Sequence, residues 1–238
     1  MKKPWSITTT LRNPERLRDF LIVLKEMEGQ DWDLEAHKNY QILLIKHRVY
    51  GYGSVQFYKG LSKKQVELID DLSKDISFEQ AKTIFDFKGY EDPSMRGRQS
   101  INPLRKLGLA AIKDGKVCLT DLGKFLLKDE YDLGEMFLRS FIKWQIPNPD
   151  NDDYKYEDGY DIKPFIGTLH LIAAVNKKYV ALGEEPKGIS KQEFSLFAPA
   201  LVNHSKIDEY AGEILKLRKK LSRKEKHEQK EITEAYKQ

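Results

Sequence analysis

Apolar residues recur at helical spacing along most of the chain. Leu17, Phe20, Leu21, Leu24 and Met27 share one stripe, which predicts a helix over residues 14–28, opened by Asn13, Pro14 and Glu15 and closed by Gly29. A β-rich run, residues 6–11, precedes it. Tyr40, Leu43, Leu44 and His47 predict a second helix over residues 34–50, and Gly51-Tyr52-Gly53 then breaks the pattern. No acid or second histidine stands at ligand spacing from His47, which reads as a helix-surface or core residue. Ser62 is placed to cap a helix reaching Leu72, with Val66, Ile69 and Leu72 inside; Ser77, with Gln80 three positions on, caps another whose Ala81, Ile84 and Phe85 share a face up to Gly89.

A third helix follows Arg96-Gly97-Arg98. Ile101, Leu104 and Leu107 mark its inner side and Gly108 its end, so Arg98, Gln99, Asn102, Arg105 and Lys106 remain on its other sides. The period then changes to that of a hairpin, residues 110–112 and 117–119 about a Lys113-Asp114-Gly115-Lys116 turn, and Thr120 caps a closing helix through Leu127. Helix, helix, helix, hairpin, helix is the order of a winged helix-turn-helix. Further on, residues 137–144 read as an apolar helix, residues 146–161 as a Pro-rich acidic loop, and Pro164 opens a helix carrying Phe165, Leu169, Leu171, Ile172 and Val175. Ser190 caps a shorter helix over residues 191–197. Residues 206–235 read as one long helix, packed as far as Leu221 and solvated like a linker beyond it. The fold class expected is mainly α (α+β), with winged helix-turn-helix-like subdomains and a small β-wing.

Composition narrows the class. The chain has 238 residues, 40% hydrophobic and 33% charged, which is a globular balance with room for a core. Nowhere does it approach the ~20 consecutive apolar residues of a membrane span. Cys118 has no partner for a bridge, and the expected setting is cytoplasmic. The net charge of +4 is modest, yet between Arg96 and Lys128 eight Lys or Arg face only Asp114 and Asp121. That clustering points to a polyanion.

The residue types there suit duplex DNA. Arg matches the O6/N7 edge of guanine, and Asn or Gln the N6/N7 edge of adenine, so Arg98, Gln99 and Asn102 are candidate base readers. Arg96, Lys106, Lys113 and Lys116 are candidate backbone contacts, which supply affinity rather than preference, and Arg105 is a further DNA-binding candidate on the same helix. Arg12 and Arg16 flank the first helix N-terminus, where an anion is favoured; they equally fit as braces of that helix. Pro149-Asp150 with Asp161-Ile162-Lys163 spells the PD…(D/E)xK pattern of Mg²⁺ nucleases, but the halves flank a polar loop of low β content, and a surface acidic loop is the better reading. The same loop lacks the EF-hand spacing, and P-loop, zincin and nucleophile-elbow motifs are absent from the sequence.

Taken together, Lys3-Pro4-Trp5-Ser6-Ile7-Thr8-Thr9-Thr10 with Arg12-Asn13-Pro14-Glu15-Arg16, Tyr40-Gln41-Ile42-Leu43-Leu44-Ile45, Arg96-Gly97-Arg98, and Phe141-Ile142-Lys143-Trp144-Gln145 with Pro147 resemble the N-terminal part of the AlwI-type family of type IIS restriction and nicking endonucleases. The resemblance implies recognition of a short asymmetric duplex site by helical, winged-helix-like subdomains. It also implies cleavage at a distance by a separate C-terminal nuclease domain that uses Mg²⁺. Residue 238 falls inside what would be the linker of such an enzyme, so the expectation is a monomeric recognition module that needs no cofactor, contains no catalytic residues and works with a nuclease domain or subunit. The divisions expected are residues 1–61 (helical), 62–130 (winged helix), 131–205 (second helix-turn-helix-like unit) and 206–238 (linker). A winged-helix transcriptional regulator, dimeric on a palindrome, and a protein-binding scaffold are the other readings of the same residues.

Overall fold

The computed structural model describes residues 13, 15–128, 130–148, 153–222 and 225–236. The β-rich run at 6–11, Arg12, Pro14 and the Pro149-Asp150 pair lie outside the described residues. Among the described residues the protein is mainly helical with one small two-stranded antiparallel sheet, and the chain divides between residues 137 and 138 into two compact units.

In the first unit, α1 (Arg16–Lys25) follows Asn13, whose side-chain oxygen accepts the Glu15 amide at 3.0 Å, and it buries the predicted stripe. Asp33 caps α2 (Leu34–Lys46) by accepting the Ala36 amide at 2.8 Å. Tyr40 of α2 is fully buried, and its hydroxyl donates to the Phe20 carbonyl at 2.9 Å. A single turn, α3 (Val55–Tyr58), leads to α4 (Lys63–Asp70) and α5 (Phe78–Phe87), which open on the expected caps Ser62 and Ser77, each completed into a capping box by Gln65 and Gln80. Ile69, Ile76, Ala81, Ile84 and Phe85 form a core with Ile42 and Ile45 of α2.

Two expectations fail here for physical reasons. The helix expected to reach residue 50 stops at Lys46, because Arg48 takes a left-handed backbone (φ 58°). From there its guanidinium donates to the carbonyls of Leu68, Ile69 and Asp71, satisfying the open end of α4. Leu72, expected inside, lies past the end of α4 and is 67% exposed.

The helix α6 (Met95–Lys106) buries Ile101 and Leu104, and Leu107 follows beneath it. Its main partners are α2 and α1, not the α4 and α5 that precede it in the chain. Gly97 permits this. A Cβ there would stand 1.9 Å from the carbonyl oxygen of His37, so only a residue without a side chain lets the two helix backbones approach.

Strands β1 (Ala110–Lys113) and β2 (Lys116–Leu119) pair Ala110 with Leu119 and Lys113 with Lys116. Asp114 (φ 50°) and Gly115 (φ 75°) make the two-residue turn that matches strand twist. Residues 29–32 run antiparallel along the other edge of β2: the Gly29 amide donates to Val117, the Val117 amide to Gln30 and the Trp32 amide to Gly115. Thr120 then caps α7 (Asp121–Leu126) as expected.

The unit boundary falls within α8 (Leu133–Phe141). That helix begins four residues before the expected 137 because Asp132 accepts the Glu135 amide at 2.9 Å. In the second unit α9 (Pro164–Ala181), α10 (Lys191–Phe197) and α11 (Ile207–Leu221) bury Leu171, Val175, Tyr179, Phe197, Ile214 and Leu217 in one core. Leu169, expected on the apolar side of α9, is 48% exposed. The base of the acidic loop is closed by an isolated antiparallel bridge between Ile146 and Ile162.

The single long helix expected from 206 to 235 is two helices, because Glu225 and Glu228 form a capping box that opens α12 (Lys226–Ala235). Beyond Leu221 the chain is not simply solvated. Ile232 and Tyr236, four residues apart, pack against the core, with the Tyr236 ring 5.8 Å from that of Phe197. Across α10 and α11, the Arg218 guanidinium meets the Glu193 carboxylate at 2.6 Å with both side chains largely buried. Burial pushes the Glu193 carboxyl up, but Arg218 and the Ser190 amide outweigh it and hold it below the usual range.

Two stability predictions follow from these contacts. Gly97→Ala forces the α2 backbone away from α6 and is expected to lower the unfolding free energy by ~1–3 kcal/mol in a denaturant titration. Arg218→Ala strands the Glu193 carboxylate in the core, with an expected loss of ~3–5 kcal/mol at neutral pH. Glu193 is ionised further down in the folded state than in the unfolded one, so the pair's contribution is present above the ordinary glutamate value of about 4.3 and fades as pH falls below it. The variant and the parent therefore converge in acid.

Candidate nucleic-acid interface

The outer side of α6 is built by its inner side. Because Ile101 and Leu104 are buried against the unit, Arg98 and Asn102, at the intervening helical positions, are exposed, and Gln99 and Arg105 half-buried. These four residues share a pocket of about 470 Å³ with Trp32, His37, Met95 and Ile101. Trp32 arrives from the strand-like segment beside β2 and His37 from the first turns of α2; their rings meet edge to face at 4.6 Å. The close approach at Gly97 sets α2 and α6 near enough to form the pocket wall.

Arg98 is held in place before any ligand arrives. Its guanidinium meets Asp92 at 2.7 Å. The Asp92 carboxyl is drawn below the usual carboxylate range first by the Ser94 hydroxyl, then by the Met95 amide and by Arg98 itself. Both partners are 45% exposed, so the pair is weak and exchangeable. His37 is the opposite case: 7% exposed, with neither ring nitrogen hydrogen-bonded. Burial, and secondly the charge of Arg98, lower its pKa below the ordinary imidazole value, so at neutral pH it is an uncharged ring with one donor and one acceptor. Gln99 and Asn102 make no side-chain hydrogen bonds among the described residues.

The other candidates from the sequence are dispersed. Arg96 is half-buried with its guanidinium 5.3 Å from the Tyr90 ring centroid; burial of that phenol raises its pKa to about 12. Lys106 is half-buried on α6. Lys113 and Lys116 flank the exposed hairpin turn, and Lys116 meets Asp31 at 3.1 Å. Arg16 donates to the Val49 carbonyl and stands 5.4 Å from the Phe20 ring, so it braces α1 against the end of α2. Arg12 lies outside the described residues. The local positive charge is lower than the 96–128 stretch alone implies, because the fold brings Glu28, Asp31 and Asp92 to it.

Sequence reasoning missed Trp32, His37 and Asp92. Trp32 stands in an acidic Asp31-Trp32-Asp33 run that carries no basic signal, and His37 comes to α6 only through a contact across some sixty residues of chain. A larger cavity of about 730 Å³ lies in the second unit, lined by Tyr179, Lys187, Ile189, Leu215 and the Arg218–Glu193 pair. Its buried charges already neutralise each other. Among the described residues no group of three or more His, Cys, Asp or Glu is placed to hold a metal ion, and no helix is long and apolar enough to cross a membrane.

No curated protein matches the chain. The model of the AlwI restriction endonuclease family matches residues 105–238, more than half of the sequence. The match opens within α6, takes in the hairpin and α7, and runs through the second unit. It includes the Phe141–Gln145 motif and lies downstream of the opening and Arg96-Gly97-Arg98 motifs that carry the same resemblance. This chain therefore belongs to the AlwI restriction endonuclease family.

Proposed function

We propose that this chain performs the site recognition of a type IIS restriction or nicking endonuclease, binding a short asymmetric duplex as a monomer, while Mg²⁺-dependent cleavage belongs to a separate nuclease domain or subunit. Membership in a restriction endonuclease family favours DNA as the partner and does not favour the transcriptional-regulator reading. The observation that carries the proposal is the outward face of α6, on which Arg98, Gln99 and Asn102 stand together above an apolar inner side.

In this reading the winged helix is assembled differently from the chain order. Its three helices are α1, α2 and α6; residues 29–32 supply the first strand, the β1–β2 hairpin is the wing, and α3 to α5 are an insertion between the second and third helices. The packing of α6 on α1 and α2 supports this, as does the pairing of residues 29–32 with β2. α6 enters the major groove, with Arg98 leaving Asp92 for guanine and Gln99 or Asn102 pairing with adenine. Lys113 and Lys116 at the hairpin tip contact phosphates, and the exposed Lys116–Asp31 pair costs little to open.

Duplexes selected from a random pool test this directly, with affinity measured without divalent metal. Arg98→Ala is expected to lose ~1–3 kcal/mol on the selected site and to relax preference at one base pair. Lys113→Ala is expected to weaken selected and random duplexes alike and to lower the salt slope by about one. Equal losses on both duplexes for both variants would mean that α6 is not the reading helix.

A further inference from the structure

A reading helix is convex and fills a groove, yet the surface beside α6 is concave. The 470 Å³ hollow between α6, Trp32 and His37 falls in the size range of small-ligand sites and is far larger than a phosphate needs. Its α2 side is aromatic and uncharged, and its α6 side combines two amides with two arginines, a mixture that a simple phosphate seat does not need. Trp32 presents a half-exposed indole. His37 borders the hollow with an imidazole that is 7% exposed, both of its nitrogens buried and unpartnered. Buried polar atoms are nearly always hydrogen-bonded, and leaving them unpaired carries a penalty that a fitting ligand removes. The amides of Gln99 and Asn102 border the same hollow without side-chain partners, and Arg98 and Arg105 line it as the cationic members.

Resting on the DNA-recognition reading above, we propose that this pocket receives a single nucleobase extruded from the bound duplex. The base stacks on Trp32, its hydrogen-bonding edge meets the Gln99 or Asn102 amide and a His37 nitrogen that turns toward the hollow as the base enters, and Arg98 and Arg105 hold the backbone phosphates on either side. The uncharged state of His37 matches a base, which offers both donors and acceptors, better than an anion. Enzymes that extrude a base use this combination of an aromatic platform and hydrogen bonds to the exposed edge, and they bind more tightly when the base is already unpaired.

The test is a mismatch scan of the selected duplex with the full chain. At each position in turn the complementary-strand base is changed so that the pair is broken while the other strand is kept. If a base is extruded, one position gains about ten-fold in affinity on unpairing, whereas mismatches at directly read pairs weaken binding. Trp32→Ala, at a half-exposed position, is expected to weaken the paired duplex by about ten-fold and to erase the gain. Trp32→Phe, which keeps an aromatic platform, is expected to retain it. Specific binding with no position that gains, or a gain that survives Trp32→Ala, overturns the extrusion and leaves site recognition standing. Absence of preference for any selected duplex removes the recognition reading, and the extrusion with it.

Discussion

The close crossing of α2 and α6 organises the N-terminal unit. It depends on one missing side chain: at Gly97 the backbone of α6 comes so near the His37 carbonyl that no Cβ fits between them. That approach seats α6 on α1 and α2, turns Ile101 and Leu104 inward, and so turns Arg98 and Asn102 outward. It also brings His37, with both ring nitrogens buried and unpaired, to the edge of the proposed reading surface. Packing, exposure and the unpaired polarity of the pocket are consequences of the same contact.

The electrostatics have a related logic. Free arginines and lysines on a protein surface are mobile, and binding them to DNA costs conformational entropy. Here Arg98 rests on Asp92 and Lys116 on Asp31, both exposed pairs that hold the side chains near the positions proposed for DNA contact at little energetic cost to release. In the second unit the Arg218–Glu193 pair is different in kind. It is buried and hydrogen-bonded to Ser190 and Gly188, and it fastens α10 to α11.

Local features of the fold were legible in the sequence. The serine caps at Ser62, Ser77 and Ser190, the stripe of α1, the inner face of α6 and the Asp114-Gly115 turn are all written in patterns a few residues long, and all occur. What local pattern could not supply was pairing at a distance. The helices nearest α6 in the chain are not its main partners, since nothing in the apolar period of α4 or α5 says whether their faces meet α6 or the far side of α2. Arg48 ended α2 through carbonyls twenty or more residues away. The sparse apolar residues past Leu221 looked solvated, but Ile232 and Tyr236 are spaced to reach one face, and they dock α12 together with the buried Thr233, whose hydroxyl accepts from the Gln192 amide. In the candidate site the basic and amide residues announced themselves by type. Trp32 and His37 did not, because their role comes from position.

Amide hydrogen exchange of the chain, free and bound to a duplex selected from a random pool, is the most direct test of the claim that α6 and its α2 neighbour form the DNA-reading surface. Protection on binding is expected to concentrate in residues 29–41, in α6 and at the hairpin turn. Protection confined to α4, α5 or the second unit, with α6 unchanged, would contradict it.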